Sequence, residues 1–346
     1  MPVVIPAAEL GEFVTALLNT KIPDPDHART VSDVLLWAAR RGVDSHGVAR
    51  VPRYLELLDS GEANATPELS FSGGPSGVTV LDADRAPGPI ALTAAADEAV
   101  RRAQAVGIGA VGVRRTVHTG AIGYYTSRIA SQGLVGIAFV AGMPNMSYPG
   151  VTGAAVATSP LSIAVPTAGS SPVLLDMATA GIALGKIAQY RNAGKTLPEG
   201  VAATADGTPT TDPALAKMPL PLGGAKGAGM SLVFELITSV LVGAPIVSSF
   251  HSDDPQGRVH RQNALILALD PAAFGDPAAF TEHVSETLAA LQGLPSTGEI
   301  RYPGQNSAAI ASKRAAEGIP VGPKVWGELE VAAEKLGVAV PVTPGG

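Results

Sequence analysis

Apolar residues recur every three or four positions through the first sixty residues, as in AAELGEFVTALLN (7–19) and PDHARTVSDVLLWAARR (25–41). That spacing lays one side of each helix against a core. A third helix is predicted from Asp44 or Ser45, both good cap types, to about residue 60. Gly/Pro-containing stretches at 63–67 and 73–77 mark a boundary. From Val78 the period changes: GVTVLD, IGAVGVRR and VGIAFV read as strands, separated by helical GPIALTAAADEAVRRAQAVG and GAIGYYTSRIASQG. This alternation predicts an α/β fold with a largely parallel or mixed sheet.

Further along, LSIAVPT and PVLLDMA read as short strands and MSLVFELITSVLVG as a buried helix. NALILALD reads as a buried strand and PAAFTEHVSETLAALQG as an amphipathic helix. Two short helices, around SAAIASKRAAEG and KVWGELEVAAEKLG, close the chain ahead of a frayed tail. The expected organisation is an N-terminal helical region, 1–75, packing with C-terminal helices, 306–346. Residues 76–305 form the α/β region that binds cofactor and substrate.

Composition narrows the class. Of 346 residues, 46% are hydrophobic and 16% charged, so a large core is affordable and global disorder is excluded. The net charge of −6 offers no basic footprint, so nucleic acid is not an expected partner. The absence of cysteine removes disulfides, thiolate nucleophiles and Cys-ligated metals. No basic leader or long uncharged apolar run is visible, so a soluble, cytoplasmic protein without membrane contact is expected.

Candidate chemistry concentrates in a few stretches. In RGVDSHGVARVPRY (41–54), a continuous helix would put His46, Arg50 and Tyr54 at i, i+4 and i+8, one polar stripe opposite Val48, Val51 and Leu55. A helix N-terminus and a guanidinium fork suit a carboxylate, although an ordinary solvated face has the same spacing. His118 lies between a strand and a helix, where α/β proteins place chemistry. The plainer alternative there is a capping histidine. PLGGAKGAG surrounds Lys226 with glycines ahead of an apolar helix, which suits a phosphate or carboxylate, but it is no P-loop. GIGAVG (107–112) has dinucleotide-loop spacing inside a strand, so a Rossmann domain is disfavoured. Asp176 ends an apolar strand and on sequence alone reads best as a cap for the following helix. The six histidines show no metal-binding spacing, and no GxSxG elbow occurs.

Taken in order, RGVDSHGVARVPRY, HTGAIGYY, LLDMATAGIALGK and GGAKGAG resemble the malate/L-lactate dehydrogenase family of non-Rossmann NAD(P)-dependent oxidoreductases, over about residues 5 to 335. The resemblance implies a mixed-sheet NAD(P)-binding fold and hydride exchange between a nicotinamide and a small 2-oxo or 2-hydroxy carboxylic acid. The alternative it carries is reduction of a cyclic imino acid; a third, from another class, is a non-catalytic ligand-binding scaffold. It implies that His118 donates and accepts the proton, with Ser45 and His46 lining the reacting site. Arg50 would hold the substrate carboxylate with Tyr54 beside it. Asp176, Met177, Ala178, Gly224, Lys226 and Gly227 would lie along NADPH or NADH, the former favoured because the imino acid reductases resembled tend to use it. It also implies a homodimer with shared active sites, which would explain how residues near 46 meet a loop near 118. The chain departs from the family's usual wording at Val117 and Thr119, around Ala141 and Gly142, and at Ala225.

Overall fold

The structure, a computed structural model, describes residues 2–169 and 171–342. The end of the expected frayed tail, from 343 on, lies outside the described residues. A short strand β1 (Val3–Ile5) leads into α1 (Ala7–Asn19) and α2 (Pro25–Arg40). The start of α2 is fixed locally: the Asp24 carboxylate accepts from the backbone N–H groups of Asp26 and His27, with Pro25 in the first turn.

The expected third helix is not continuous. Residues Asp44–His46 and Val48–Arg50 form two 3₁₀ turns, and α3 begins only at Val51, running to Asp59. Gly47, at ψ −147°, separates the turns, and it packs so tightly on Ala39 that an added Cβ would sit 3.0 Å from that residue's Cβ. Asp44 is no helix cap here; its carboxylate pairs with Arg314 at 2.6 Å.

The sheet is built from β2 (Ser70–Ser72), β3 (Val78–Asp82), β4 (Ile108–Thr116), β5 (Val135–Gly142), β6 (Leu161–Val165), β7 (Val173–Met177) and β10 (Gln262–Leu269), in the order β2-β3-β4-β10-β5-β6-β7. Only β3 and β4 pair in parallel, so the sheet is mixed rather than largely parallel. Because β10 runs antiparallel between β4 and β5, those two strands end at the same edge, and β7 ends there as well.

Helices α4 (Gly88–Val106) and α5 (Gly123–Ala130) cover one face. The GIGAVG spacing is a packing device. Gly107 ends α4 at φ +88°, and a Cβ on Gly109 would lie 1.9 Å from the Ala99 carbonyl oxygen. One core of buried Leu, Ile, Val and Ala runs from Ile5 through the sheet face to Ala333. Each fully buried Leu, Ile or Val side chain contributes roughly 1.5–3 kcal/mol.

Between β7 and the glycine-rich loop lie α6 (Leu184–Asn192) and the paired β8 (Ala202–Ala203) and β9 (Met218–Pro219), with a small core of their own around Ile182, Ile187 and Leu197. On the other sheet face, α7 (Ala225–Glu235) continues through a π turn to Val240. This segment was expected to be buried, but Val233, Leu236, Val240 and Leu241 are exposed in a row. After α8 (Val247–Phe250) and β10 come α9 (Pro277–Gln292), which buries no residue fully, and α10 (Gln305–Glu317). The chain then adds β11 (Ile319–Val321), paired antiparallel with β1, and α11 (Pro323–Leu336).

Candidate active site

His118 lies just past the end of β4, on a turn fixed from several sides. Opposite β10, β4 carries a bulge where Arg115 takes φ +59°. That conformation is uncommon for a residue with a Cβ, and bulges of this kind re-aim the side chains that follow. The bulge is pinned by fully buried Asn263, whose Oδ1 accepts from the Arg115 N–H at 3.0 Å while its Nδ2 donates to the Ala244 carbonyl at 2.8 Å. The His118 carbonyl accepts from Gly88 N–H at 3.1 Å and from the Tyr54 hydroxyl at 2.8 Å.

The imidazole is placed with equal specificity. Its Nδ1 accepts from the Gly120 N–H at 3.3 Å and lies 3.1 Å from the Tyr54 hydroxyl. A backbone N–H can only donate, so this assigns the neutral ring's proton to Nε2. Tyr54 itself is 1% exposed and stands edge-on to the ring. It was expected on a polar stripe beside Arg50, facing the carboxylate; with the helix broken at Gly47, it turns inward and spends its hydroxyl on His118.

The ring of His46 lies near-parallel to that of His118, with centroids 5.9 Å apart and an interplanar angle of 21°. Ser45 Oγ holds His46 Nδ1 at 3.0 Å, and the Ser45 carbonyl accepts from Arg50 Nε at 2.7 Å. That bond leaves the terminal guanidinium nitrogens of Arg50 for another partner. Burial, followed by the charge of Arg50, depresses the His46 pKa to about 4. Burial also pushes His118 well below its ordinary value, helped by Arg50, His46, His260 and Arg53. Both rings are therefore neutral at physiological pH. Ser45, His46, Arg50, Tyr54 and His118 converge within one chain, so no second chain is needed to bring residue 46 to residue 118.

Asp176, at the end of β7, accepts from Gly123 N–H at 3.0 Å. It thus caps the start of α5 and not the helix that follows it in sequence. The carboxylate is exposed to solvent yet crowded by protein on most sides, and this desolvation raises its pKa to about 6 against the opposing pull of Gly123 N–H and Arg41. Arg41 lies over the Trp37 ring at 5.0 Å, with Nε and Nη2 buried and unpartnered among the described residues.

Met177 and Ala178 lead from β7 to Thr179, whose carbonyl accepts from Leu222 N–H at 2.9 Å; Ala180 bridges to Pro221. The strand end and the glycine loop are therefore neighbours. Gly223 and Gly224 take positive φ, +59° and +62°, to open α7 with exposed Lys226 in its first turn. Gly227 is buried, its N–H donating to the Leu222 carbonyl at 2.8 Å. Gly185, in the first turn of α6, packs on Ser45, where an added Cβ would come within 3.2 Å of the serine Cβ. Among the described residues no hydrogen bond joins Lys226 to the histidine pair.

Three residues beside the site have no role assigned from sequence: Arg41, Gln262 and His260. The last two belong to HRQN, a polar run leading into the apolar strand β10, which was the only local signal of their position. His260 faces Arg53, Glu62 and Arg85 and leaves its buried Nε2 unpartnered among the described residues.

The sequence profile of the malate/L-lactate dehydrogenase family matches residues 5–330. A ureidoglycolate dehydrogenase (NAD+) of Escherichia coli strain K12 is 33% identical over 302 residues, 86% of this chain and 86% of that protein. A (2R)-3-sulfolactate dehydrogenase (NADP+) of Chromohalobacter salexigens is 33% identical over 83% of this chain and 85% of its own length. The solved Δ1-piperideine-2-carboxylate reductase of Pseudomonas syringae superposes with a TM-score of 0.85 at 26% identity, covering 95% of this chain and 99% of that one.

Proposed function

Because the chain belongs to the malate/L-lactate dehydrogenase family, we propose that it is an NAD(P)-dependent oxidoreductase acting on a small 2-oxo or 2-hydroxy carboxylic acid, with His118 as its proton donor and acceptor. One observation carries the residue assignment. Two neutral imidazoles and a guanidinium whose terminal nitrogens bond no acceptor among the described residues meet at the sheet edge where β4, β5 and β7 end.

The roles follow from the contacts. Arg50, anchored through Nε, offers its terminal fork to the substrate carboxylate, a two-point contact that fixes orientation. His118 turns Nε2 toward the C2 oxygen: the charged ring gives its Nε2 proton there and keeps the one on Nδ1, and in the reverse direction that Nδ1–H form takes the proton back on Nε2. In the free protein Arg50 disfavours a charged His118. A carboxylate bound at Arg50 offsets that charge, so the acid's arrival favours protonation of the ring that must deliver the proton. When the ring is charged, Nδ1–H finds an acceptor in the Tyr54 oxygen. Ser45 holds His46 as the neutral wall of the pocket.

A nicotinamide cofactor supplies or accepts the hydride when bound. The residues present fit such a group: the α7 N-terminus and Lys226 suit its phosphates, and the accessible Asp176 carboxylate suits hydroxyl donors. Thr179 adds a buried hydroxyl left unpartnered among the described residues. Met177, Ala178, Gly224 and Gly227 shape the same strip of backbone. Relatives use NAD+ or NADP+, and both belong in the assay, with NADPH favoured.

The second reading is reduction of a cyclic imino acid, with His118 protonating nitrogen instead of oxygen; the whole-chain likeness to the Pseudomonas syringae reductase supports it. The deciding experiment follows absorbance of NADH and NADPH with pyruvate, oxaloacetate, sulfopyruvate and Δ1-piperideine-2-carboxylate, and NAD+ and NADP+ reduction with ureidoglycolate. No turnover on any pairing would refute the oxidoreductase reading.

The exposed apolar row of Val233, Leu236, Val240 and Leu241 supports a homodimer in which this ridge is covered by a second copy. No described helix is long and apolar enough to cross a membrane.

A further inference from the structure

We infer that Gln262 is a further substrate-binding residue, its amide nitrogen donating to an acceptor oxygen of the bound acid. This rests on the oxidoreductase reading of the same site and extends it to a donor that no motif announces.

The first residue of β10 stands opposite both neighbouring strand ends, pairing with Thr116 of β4 and Gly142 of β5. Gln262 Oε1 accepts from Thr119 N–H at 2.9 Å, one residue beyond His118. That N–H can only donate, so the amide orientation is fixed and Nε2, with its two N–H groups, faces the opposite way. Nε2 is not a buried orphan, and it meets no acceptor among the described residues.

The strand's alternation decides which face it serves. Ala264, Ile266 and Ala268 are buried in the core shared with α4 and α5, so Gln262, in the same phase, lies on the side of the His118 turn. Asn263 points the other way, to Ala244. Space is kept free beside the amide: a Cβ on Gly142 would lie 3.2 Å from Gln262 Cγ and 3.3 Å from Nε2. The bonded half of the amide steadies the Thr119 end of the turn, and the free half is a donor left open beside that turn.

The competing role is structural, with Gln262 serving only to hold Thr119. Gln262→Glu separates the two, because a carboxylate still accepts from Thr119 N–H but replaces the free donor with an anionic oxygen. A structural role predicts unchanged kinetics. Substrate contact predicts a KM for the acid raised about tenfold or more, with cofactor Kd unchanged and partial recovery of KM at low pH as the new carboxyl protonates. Gln262→Met, which loses both contacts, should show the KM defect without its pH recovery. A readout independent of turnover is the melting-temperature rise caused by oxamate, an unreactive 2-oxo acid mimic, in the presence of NADH or NADPH; it should shrink in both variants. No oxamate shift in the wild-type protein, or an equal shift in Gln262→Glu, overturns the proposal whatever the substrate panel shows. A silent panel alongside a Gln262-dependent oxamate shift would instead refute the proposed reaction.

Discussion

Tyr54 and His118, sixty-four positions apart, are joined twice: the phenol donates to the histidine carbonyl at 2.8 Å and lies 3.1 Å from its Nδ1. The fully buried phenol thereby fixes both the backbone and the ring of the candidate acid–base residue. Tyr54→Phe keeps the packing and removes both contacts. The expected result is a loss of about 1–2 kcal/mol in stability and roughly tenfold in kcat, with the acid's KM little changed. A raised KM with normal kcat would return Tyr54 to the substrate side.

His118→Ala should lower kcat by about a hundredfold or more and leave cofactor affinity intact, since among the described residues no hydrogen bond joins the ring to the β7 end or the glycine loop. Cofactor titration followed by nicotinamide fluorescence separates the two effects. Wild-type kcat in the variant would remove His118 from the chemistry.

Arg50→Lys conserves charge but not the fork, nor the bond from Nε to the Ser45 carbonyl. KM for the acid should rise by about tenfold or more while kcat falls less. An unaltered KM would place the carboxylate elsewhere.

Stability should fall on acidification, and the sign can be worked out group by group. His46 titrates near 4 when folded and near 6.5 when unfolded, so between those values the unfolded chain binds the extra proton and unfolding gains ground. His118, also depressed, acts in the same direction. Asp176, raised to about 6, acts oppositely: its contribution is present at low pH and lost as pH rises through 6. The two half-buried histidines outweigh one solvent-exposed carboxylate, so melting temperature should drop from pH 6.5 to pH 4. Asp176→Asn should steepen that drop, and a flat profile from pH 6.5 to 4 in the wild-type protein would contradict the charge assignments.

Leu241, 67% exposed at the end of the apolar row, gives the direct test of the homodimer. Leu241→Glu should convert a dimer to a monomer in light scattering after size exclusion. A wild-type monomer would refute the assembly.

Much of the architecture was legible in local pattern. Helices α1, α2, α4 and α11 and strands β3, β4, β5 and β10 follow the apolar spacing to within a residue or two at most ends. Short pairs such as β1 with β11 were not legible, because each strand is only three residues long and gains its meaning from a partner some three hundred positions away. The apolar run 230–243 is buried on one side only, because its hydrophobicity does not tell which of its faces the rest of the chain covers.

For the site, the chain's own order of residues determined which side chains are the candidates for chemistry: a histidine, serine and arginine around Gly47, a second histidine after a strand, an acid at a strand end and a glycine-flanked lysine. Tertiary structure decided what each of them meets. It broke the third helix at Gly47, turned Tyr54 inward onto His118, gave Asp176 to the start of α5 and brought the HRQN run beside the His118 turn. The reason is that spacing along a chain fixes only local geometry, whereas the partners of a side chain depend on which strands lie side by side, and β10 enters between β4 and β5 from far along the sequence.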